Sequence, residues 1–313
     1  MLRVSGADRA SWLQGLLSND VQSLTPGQGC YAAWLTPQGR MITDAIVFAE
    51  EDTVTLDVPV ALGEMVYRRL GAAVFAEDVM LTDEGGVWGM VGVHGPSAAE
   101  AVSRATVGSR PSAHRLSADL LSSWPEYSHA PLGPLGRVMR LDQYGAPGFV
   151  IRVPVDACDL WMSRLRLAGA TPVAGEVLEF ARIEAGRPEF LVDMDADTIP
   201  LEAGIEDRAI SFTKGCYVGQ EVIVRIVHRG GGRVARKLVG LRLGTSAVPA
   251  ARAVVRADRG EVGRVTSAAW SPLLQRTVAM AYVHRDFVEP GTPVTVDCQE
   301  GSVPATVSAF PLS

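Results

Sequence analysis

Residues 213–221 read Thr213-Lys214-Gly215-Cys216-Tyr217-Val218-Gly219-Gln220-Glu221, and no other stretch sets a cysteine, a lysine and two glycines so close together. Gly215 and Gly219 permit backbone angles and close approaches that a Cβ would forbid. Cys216 lies between them, two residues after a cation. A nearby positive charge favours thiolate over thiol, as does a helix beginning just beyond it. The pattern presents a reactive sulfur rather than a core residue. Lys214 adds weight, because the chain has 29 lysines plus arginines and its only lysines are Lys214 and Lys237. An ammonium kept at 214 in so arginine-rich a chain points to a site fitted to a compact charge, although chance placement yields the same letter.

The bulk properties narrow the field. A length of 313 residues suits two or three domains. Hydrophobic residues at 47% and charged ones at 20% describe an ordinary globular chain with ample core material. A net charge of −6 argues against a general nucleic-acid binder. The cysteines at 30, 158, 216 and 298 form no CxxC pair, so zinc-ribbon and thioredoxin readings fail. That sparse usage fits a reducing cytosol. There is no signal core at the N-terminus and no apolar run of membrane-spanning length. The expectation is a cytoplasmic protein with neither membrane nor direct nucleic-acid partners.

Along the chain, Asp8 reads as the N-cap of a helix whose apolar face is Trp12, Leu13, Leu16 and Leu17. Residues 30–35 and 41–49 read as a hairpin closed by Thr36-Pro37-Gln38-Gly39. Asp44 falls on the same strand face as Ile42, Ile46 and Phe48. An acid there is costly unless it has a partner or a job. Further strands are predicted at 54–58 and 87–93, helices at 61–70, 98–105, 156–168 and 176–186, and a second hairpin at 137–141 and 148–153. The span 106–135, weakly patterned and rich in Ser, Pro and Gly, reads as loops. After Arg236 short strands alternate with Gly and Pro turns, which suggests a small antiparallel barrel or sandwich of about 75 residues.

Charge is segregated around the central motif. Residues 189–207 hold seven acids and no bases, whereas 214–242 hold seven bases and one acid. The basic block either lines a cleft for an anion or is a solvated face. Arg229-Gly230-Gly231-Gly232-Arg233 either closes over a carboxylate tail or simply connects two units. Asp193, Asp195 and Asp197 imitate the start of a calcium loop, but position six is Thr198 and position twelve is Gly204, so that reading is rejected. Gly27-Gln28-Gly29-Cys30-Tyr31-Ala32 matches a dinucleotide fingerprint in the wrong context and is also rejected. The histidines at 94, 114, 129, 228 and 284 show no metal-ligand spacing, so no metal site is expected.

Residues 214–221, KGCYVGQE, resemble the signature of the YgfZ family of folate-binding proteins. Leu2-Arg3-Val4-Ser5-Gly6-Ala7-Asp8, Asn19-Asp20-Val21 and Thr36-Pro37-Gln38-Gly39-Arg40 agree with that family in order. Residues 181–188, ARIEAGRP, and 199–204, IPLEAG, are similar to segments of the related glycine-cleavage T-protein, an aminomethyltransferase.

The resemblance implies an α+β, cloverleaf-like fold around a central opening, with 1–235 as two intertwined folate-binding domains and 236–313 as a C-terminal β-barrel. It implies a tetrahydrofolate site and a role in assembling or repairing iron–sulfur clusters, including those of tRNA-modifying enzymes, with iron–sulfur apoproteins as partners. The alternatives are a folate-dependent aminomethyltransferase and a non-catalytic scaffold for those apoproteins. Cys216, Lys214 and Asp44 are the catalytic candidates. Glu184, which matches the T-protein's pterin-contacting glutamate, is the leading folate contact, with Tyr217, Gln220, Arg225, Arg229 and Arg233 as further candidates. One departure stands out: T-proteins usually carry an Asp-Asp pair where this chain has Thr43-Asp44.

Overall fold

The computed structural model of the chain describes residues 1–313 except 108–115, 134–135, 259, 300 and 313, and not the side chain of Arg229. Its first third builds strands β1 (Leu2–Ser5), β2 (Gly29–Leu35), β3 (Met41–Ala49), β4 (Thr53–Asp57) and β5 (Met80–Asp83), with helices α1 (Arg9–Leu16) and α2 (Gly63–Gly71). The strands form one sheet in the order β2-β3-β4-β1-β5. Residues 30–35 of β2 are buried without a break, because both faces are covered. Ala32 and Trp34 pack with Leu13 and Val47 on one side. Tyr31, Ala33 and Leu35 pack with Ile205, Ala209 and Ile223 on the other. Such double coverage replaces the alternation of a one-sided strand with a continuous apolar run.

The second sheet, in the order β6-β9-β8-β7, contains β6 (Trp88–His94), β7 (His129–Leu132), β8 (Gly136–Arg140) and β9 (Gly148–Pro154). Helices α3 (Ala98–Ala105), α4 (Ala118–Ser123) and α5 (Cys158–Leu167) accompany it. Next come α6 (Gly175–Ala185), α7 (Pro200–Ala203), α8 (Glu206–Ala209) and α9 (Gln220–Gly230). The last part is a closed antiparallel barrel, β10-β13-β12-β11-β14-β15, made of β10 (Arg236–Leu243), β11 (Val254–Ala257), β12 (Gly260–Ser271), β13 (Arg276–His284), β14 (Pro293–Cys298) and β15 (Gly301–Ser308). On β13, Ala279, Ala281 and Val283 fill the barrel, while Val278, Met280 and Tyr282 turn outward onto Ile183 of α6. This is the two-residue period of a strand with both faces in use.

A buried ionic joint fastens α6 to the barrel. The Arg182 guanidinium donates to Asp193 at 2.5 Å and to Ser267 Oγ at 2.9 Å. Ser267 Oγ in turn donates to Asp193 at 2.7 Å.

Three local expectations need correction. Asp8 makes no side-chain cap; its carboxylate instead accepts from the backbone N–H of Asp78 at 2.8 Å. The span 106–135 is not all loop. It holds α4, whose N-cap Ser117 accepts from the Leu120 N–H, and β7; residues 108–115 and 134–135 of that span lie outside the described residues. Sequence reading also missed β1, β5 and β15. The first two have only four residues each, and β15 carries Pro304, which argues against a strand on pattern alone.

Candidate functional site

A cavity of about 450 Å³ opens where the two sheets meet the connection from α6 to α8. Asp44 projects into it from β3, next to Tyr31 of β2. The Tyr31 hydroxyl donates to Asp44 Oδ2 at 2.7 Å. Burial raises Asp44 to about 6, and the Tyr31 hydrogen bond opposes that rise. Burial also pushes the Tyr31 phenol well above its ordinary value, so it stays a donor. The Arg208 guanidinium of α8 stacks on the Tyr31 ring at 5.0 Å. Farther along the wall, Arg187 faces Glu126 at 3.4 Å, and Tyr127 and Tyr144 add flat aromatic surface. The cavity wall therefore combines four carboxylates (Asp44, Asp57, Glu126 and Glu189), three tyrosines and the buried or half-buried guanidiniums of Arg182, Arg187 and Arg208.

Glu184 is buried in the last turn of α6, and its Oε1 has no hydrogen-bond partner among the described residues. It is not among the residues forming the cavity wall. Helical spacing puts it one turn beyond Ala181 and two turns beyond Val177. Val177, Leu178 and Ala181 line an apolar cavity of about 920 Å³, whereas Glu184 lines neither cavity. The two cavities adjoin, since Asp57, Met90, Gln143 and Tyr144 belong to both walls.

The glycine-flanked motif lies elsewhere. Lys214 does not reach toward Cys216 as the sequence reading supposed. Its ammonium donates to the carbonyls of Gln14, Leu17 and Asn19 at 2.7, 2.6 and 2.9 Å and lies 5.0 Å over the Tyr217 ring. Burial draws its pKa down to about 8. Cys216 is exposed and, like Lys214, Tyr217, Gln220, Arg225 and Arg233, forms no part of the cavity wall. Tyr217 is buried in the core between β2 and α9. Gln220 begins α9, Arg225 pairs with Glu221 at 2.6 Å, and Arg233 is exposed. The Arg229 side chain lies outside the described residues.

Gly219 has φ +88, and a Cβ there would meet Thr36 O at 2.6 Å. The motif thus rests directly on the β2–β3 turn. Gly219→Ala is expected to cost about 2–3 kcal/mol from left-handed strain plus the clash, measured by urea unfolding. A Gly215→Ala control, where a Cβ meets nothing within 4 Å, should change stability far less.

Two family models cover most of the chain. Residues 1–214 match the GCVT N-terminal domain, and residues 236–313 match the glycine cleavage T-protein C-terminal barrel domain. The chain belongs to the glycine cleavage T-protein family. It is 30% identical over 313 residues to an aminomethyltransferase of Bordetella petrii, covering 98% of this chain and 81% of the relative. It is 29% identical over 315 residues to one of Nostoc sp., with coverages of 98% and 81%. The solved structure of glycine cleavage system aminomethyltransferase T from Bartonella henselae superposes with a TM-score of 0.84 at 20% identity, covering 100% of this chain and 83% of that one, a likeness of fold.

Within this T-protein fold, of the residues the sequence singles out, Asp44 lines the cavity, while the cations expected from the 214–242 block do not. The guanidiniums that face it are Arg182, Arg187 and Arg208. Arg187 and Arg208 bracket the acidic run 189–207, and that bracketing was the available signal. Tyr31 and Tyr127 carried none, since their place in the wall depends on strand pairing and on a loop from the second sheet.

Proposed function

We propose that the chain binds a reduced folate in the 450 Å³ cavity and carries out folate-dependent one-carbon transfer of the aminomethyltransferase kind, with Asp44 handling the proton. The observation that carries this is Asp44 itself: a half-buried carboxylate beside a donor tyrosine, with a pKa of about 6. General acid–base groups work best with a pKa near the operating pH. The cavity size lies in the roughly 300–1,000 Å³ range of small-molecule sites.

The residues suit a folate. Tyr31, Tyr127 and Tyr144 offer faces for its rings. Arg187 and Arg208 offer forked donors to its carboxylates. The unpartnered, buried Oε1 of Glu184, one helical turn beyond Ala181, is an acceptor without a donor; a pterin edge supplies adjacent N–H donors. When bound, the reduced folate supplies the nucleophilic nitrogen that accepts the one-carbon unit. This chain's part is to orient it, exclude water and hold or release a proton at Asp44. Thr43 is buried and donates its hydroxyl to the Asp44 carbonyl at 3.0 Å, so Asp44 works as a single carboxylate rather than as one of a pair.

Isothermal titration with tetrahydrofolate tests this reading. Saturable one-to-one binding is expected, weakened about 10–100-fold in Glu184→Gln. No saturable binding to the folded wild type would refute it.

A second reading, service to iron–sulfur clusters in the manner of YgfZ proteins, is favoured by the exposed Cys216 on a segment anchored by Lys214. In that case Cys216→Ser should abolish activation of an iron–sulfur apoprotein while leaving folate binding intact.

A further inference from the structure

The glycine-flanked motif and the cavity carboxylate are joined by residues that neither reading assigns. Asn19 follows α1. Its side-chain amide donates to Tyr31 O and to Arg208 O, each at 2.8 Å. Its own side-chain oxygen accepts the Asp20 N–H at 2.9 Å. Its backbone carbonyl is one of the three held by Lys214. The preceding residue, Ser18, is fully buried and makes a parallel link: its hydroxyl donates to Ala209 O at 2.6 Å and accepts from Ala33 N at 2.8 Å. The pair therefore clamps β2 to α8, the two elements whose Tyr31 and Arg208 stack on each other beside Asp44.

We infer that Asn19, held from behind by Lys214, is a positioning residue: its amide fixes Tyr31 and Arg208 together against Asp44 and so sets how readily that carboxyl gives up its proton. Asparagine suits the task because its planar amide carries two donors that reach two carbonyls at once. A fully satisfied polar group in a half-buried place is rigid, since any movement strands its partners. Lys214 adds three charge-assisted bonds that hold the chain segment bearing Asn19. Through this chain the motif acts on the cavity without lining it.

The sign of the effect follows from the groups around Asp44. Tyr31 from β2 and Arg208 from α8 favour the ionised form, while burial and Glu189, from the connection after α6, oppose it. Other titratable or charged groups of the wall are Asp57 at the end of β4, Glu126 and Tyr127 before β7, and Tyr144 before β9. Arg182 of α6 and Arg187 just after it complete the set. Freeing Tyr31 and Arg208 leaves only a backbone hydrogen bond to oppose burial and Glu189, so ionisation moves to higher pH.

The test is a carboxyl-carbon NMR titration of aspartate-labelled full-length chain without ligand. Wild-type Asp44 should titrate near 6. Asn19→Leu and Tyr31→Phe should each raise that midpoint by about one unit. Their double variant should go no further than Asn19→Leu alone, because the tyrosine acts through the same link. Lys214→Met should shift it in the same direction by less. A folded Asn19→Leu with an unmoved midpoint, or shifts that simply add, would overturn the assignment. If Asn19→Leu fails to fold, an unmoved midpoint in Lys214→Met does so. The inference rests on the folate reading only for the use made of Asp44. Absence of tetrahydrofolate binding would sink that reading while leaving the titration result standing.

Discussion

Asp44→Asn is expected to reduce one-carbon transfer by about 10²–10⁴-fold while leaving the protein at least as stable as the wild type at pH 7. The two effects come from one cause. Burial lifts the Asp44 pKa from 3.8 to about 6, so the folded chain holds this proton more tightly than the unfolded chain does. The favourable contribution is present below the unfolded value and is lost as the pH rises through the interval from 3.8 to about 6. At pH 7 the ionised carboxylate costs on the order of 1–3 kcal/mol, which the amide avoids while still accepting from Tyr31. Transfer rate, folate affinity and melting temperature should be measured on the same preparation. The gain in melting temperature should disappear at about pH 4. An Asp44→Asn protein with wild-type transfer would remove the carboxylate from the chemistry. One that is destabilised at pH 7 would show that the carboxylate is structural.

The largest loss of stability is expected from Asp193→Ala. The Asp193 side chain is fully buried. Besides Arg182 and Ser267 it accepts from Thr266 Oγ1 at 2.5 Å and from the Glu189 N–H at 3.1 Å. Removing it leaves the Arg182 guanidinium, 8% exposed, and the hydroxyls of Thr266 and Ser267 without their shared buried anion. Glu179 remains at 2.7 Å but is itself 41% exposed and screened. Deleting one partner of a buried pair typically costs about 3–5 kcal/mol, or roughly 6–15 °C in melting temperature for a protein this large. Calorimetry measures it. Asp197→Ala is the control, since its pairing with Arg40 is exposed on both sides and should contribute less than about 1 kcal/mol. Equal effects in the two variants would mean that the joint does not hold α6 to the barrel.

These residues also show what was legible beforehand. The hairpin of β2 and β3 could be read because Pro37 and Gly39 mark its turn and an acid interrupts an apolar strand, which also singled out Asp44. The barrel could be read because its strands are separated by Gly and Pro turns. Asp193 was considered only as a calcium ligand; its true neighbour Ser267 lies 74 residues later, and local spacing carries no trace of that contact. Lys214 stands out in an arginine-rich chain, but sequence proximity points to Cys216, whereas its bonds run to backbone carbonyls. Its carbonyl partners precede it by 195–200 residues. Asn19 gave no chemical signal, because an amide bridging two backbone carbonyls looks in sequence like any turn residue.

The central claim is that the cavity beside Asp44 holds the folate, and the most direct measurement is a crystal structure of the chain grown with tetrahydrofolate. The account predicts ring density among Tyr31, Tyr127 and Tyr144, with Asp44 in contact and the carboxylate tail toward Arg187 or Arg208. Folate density on the barrel or beside Cys216, with this cavity empty of it, would contradict the account.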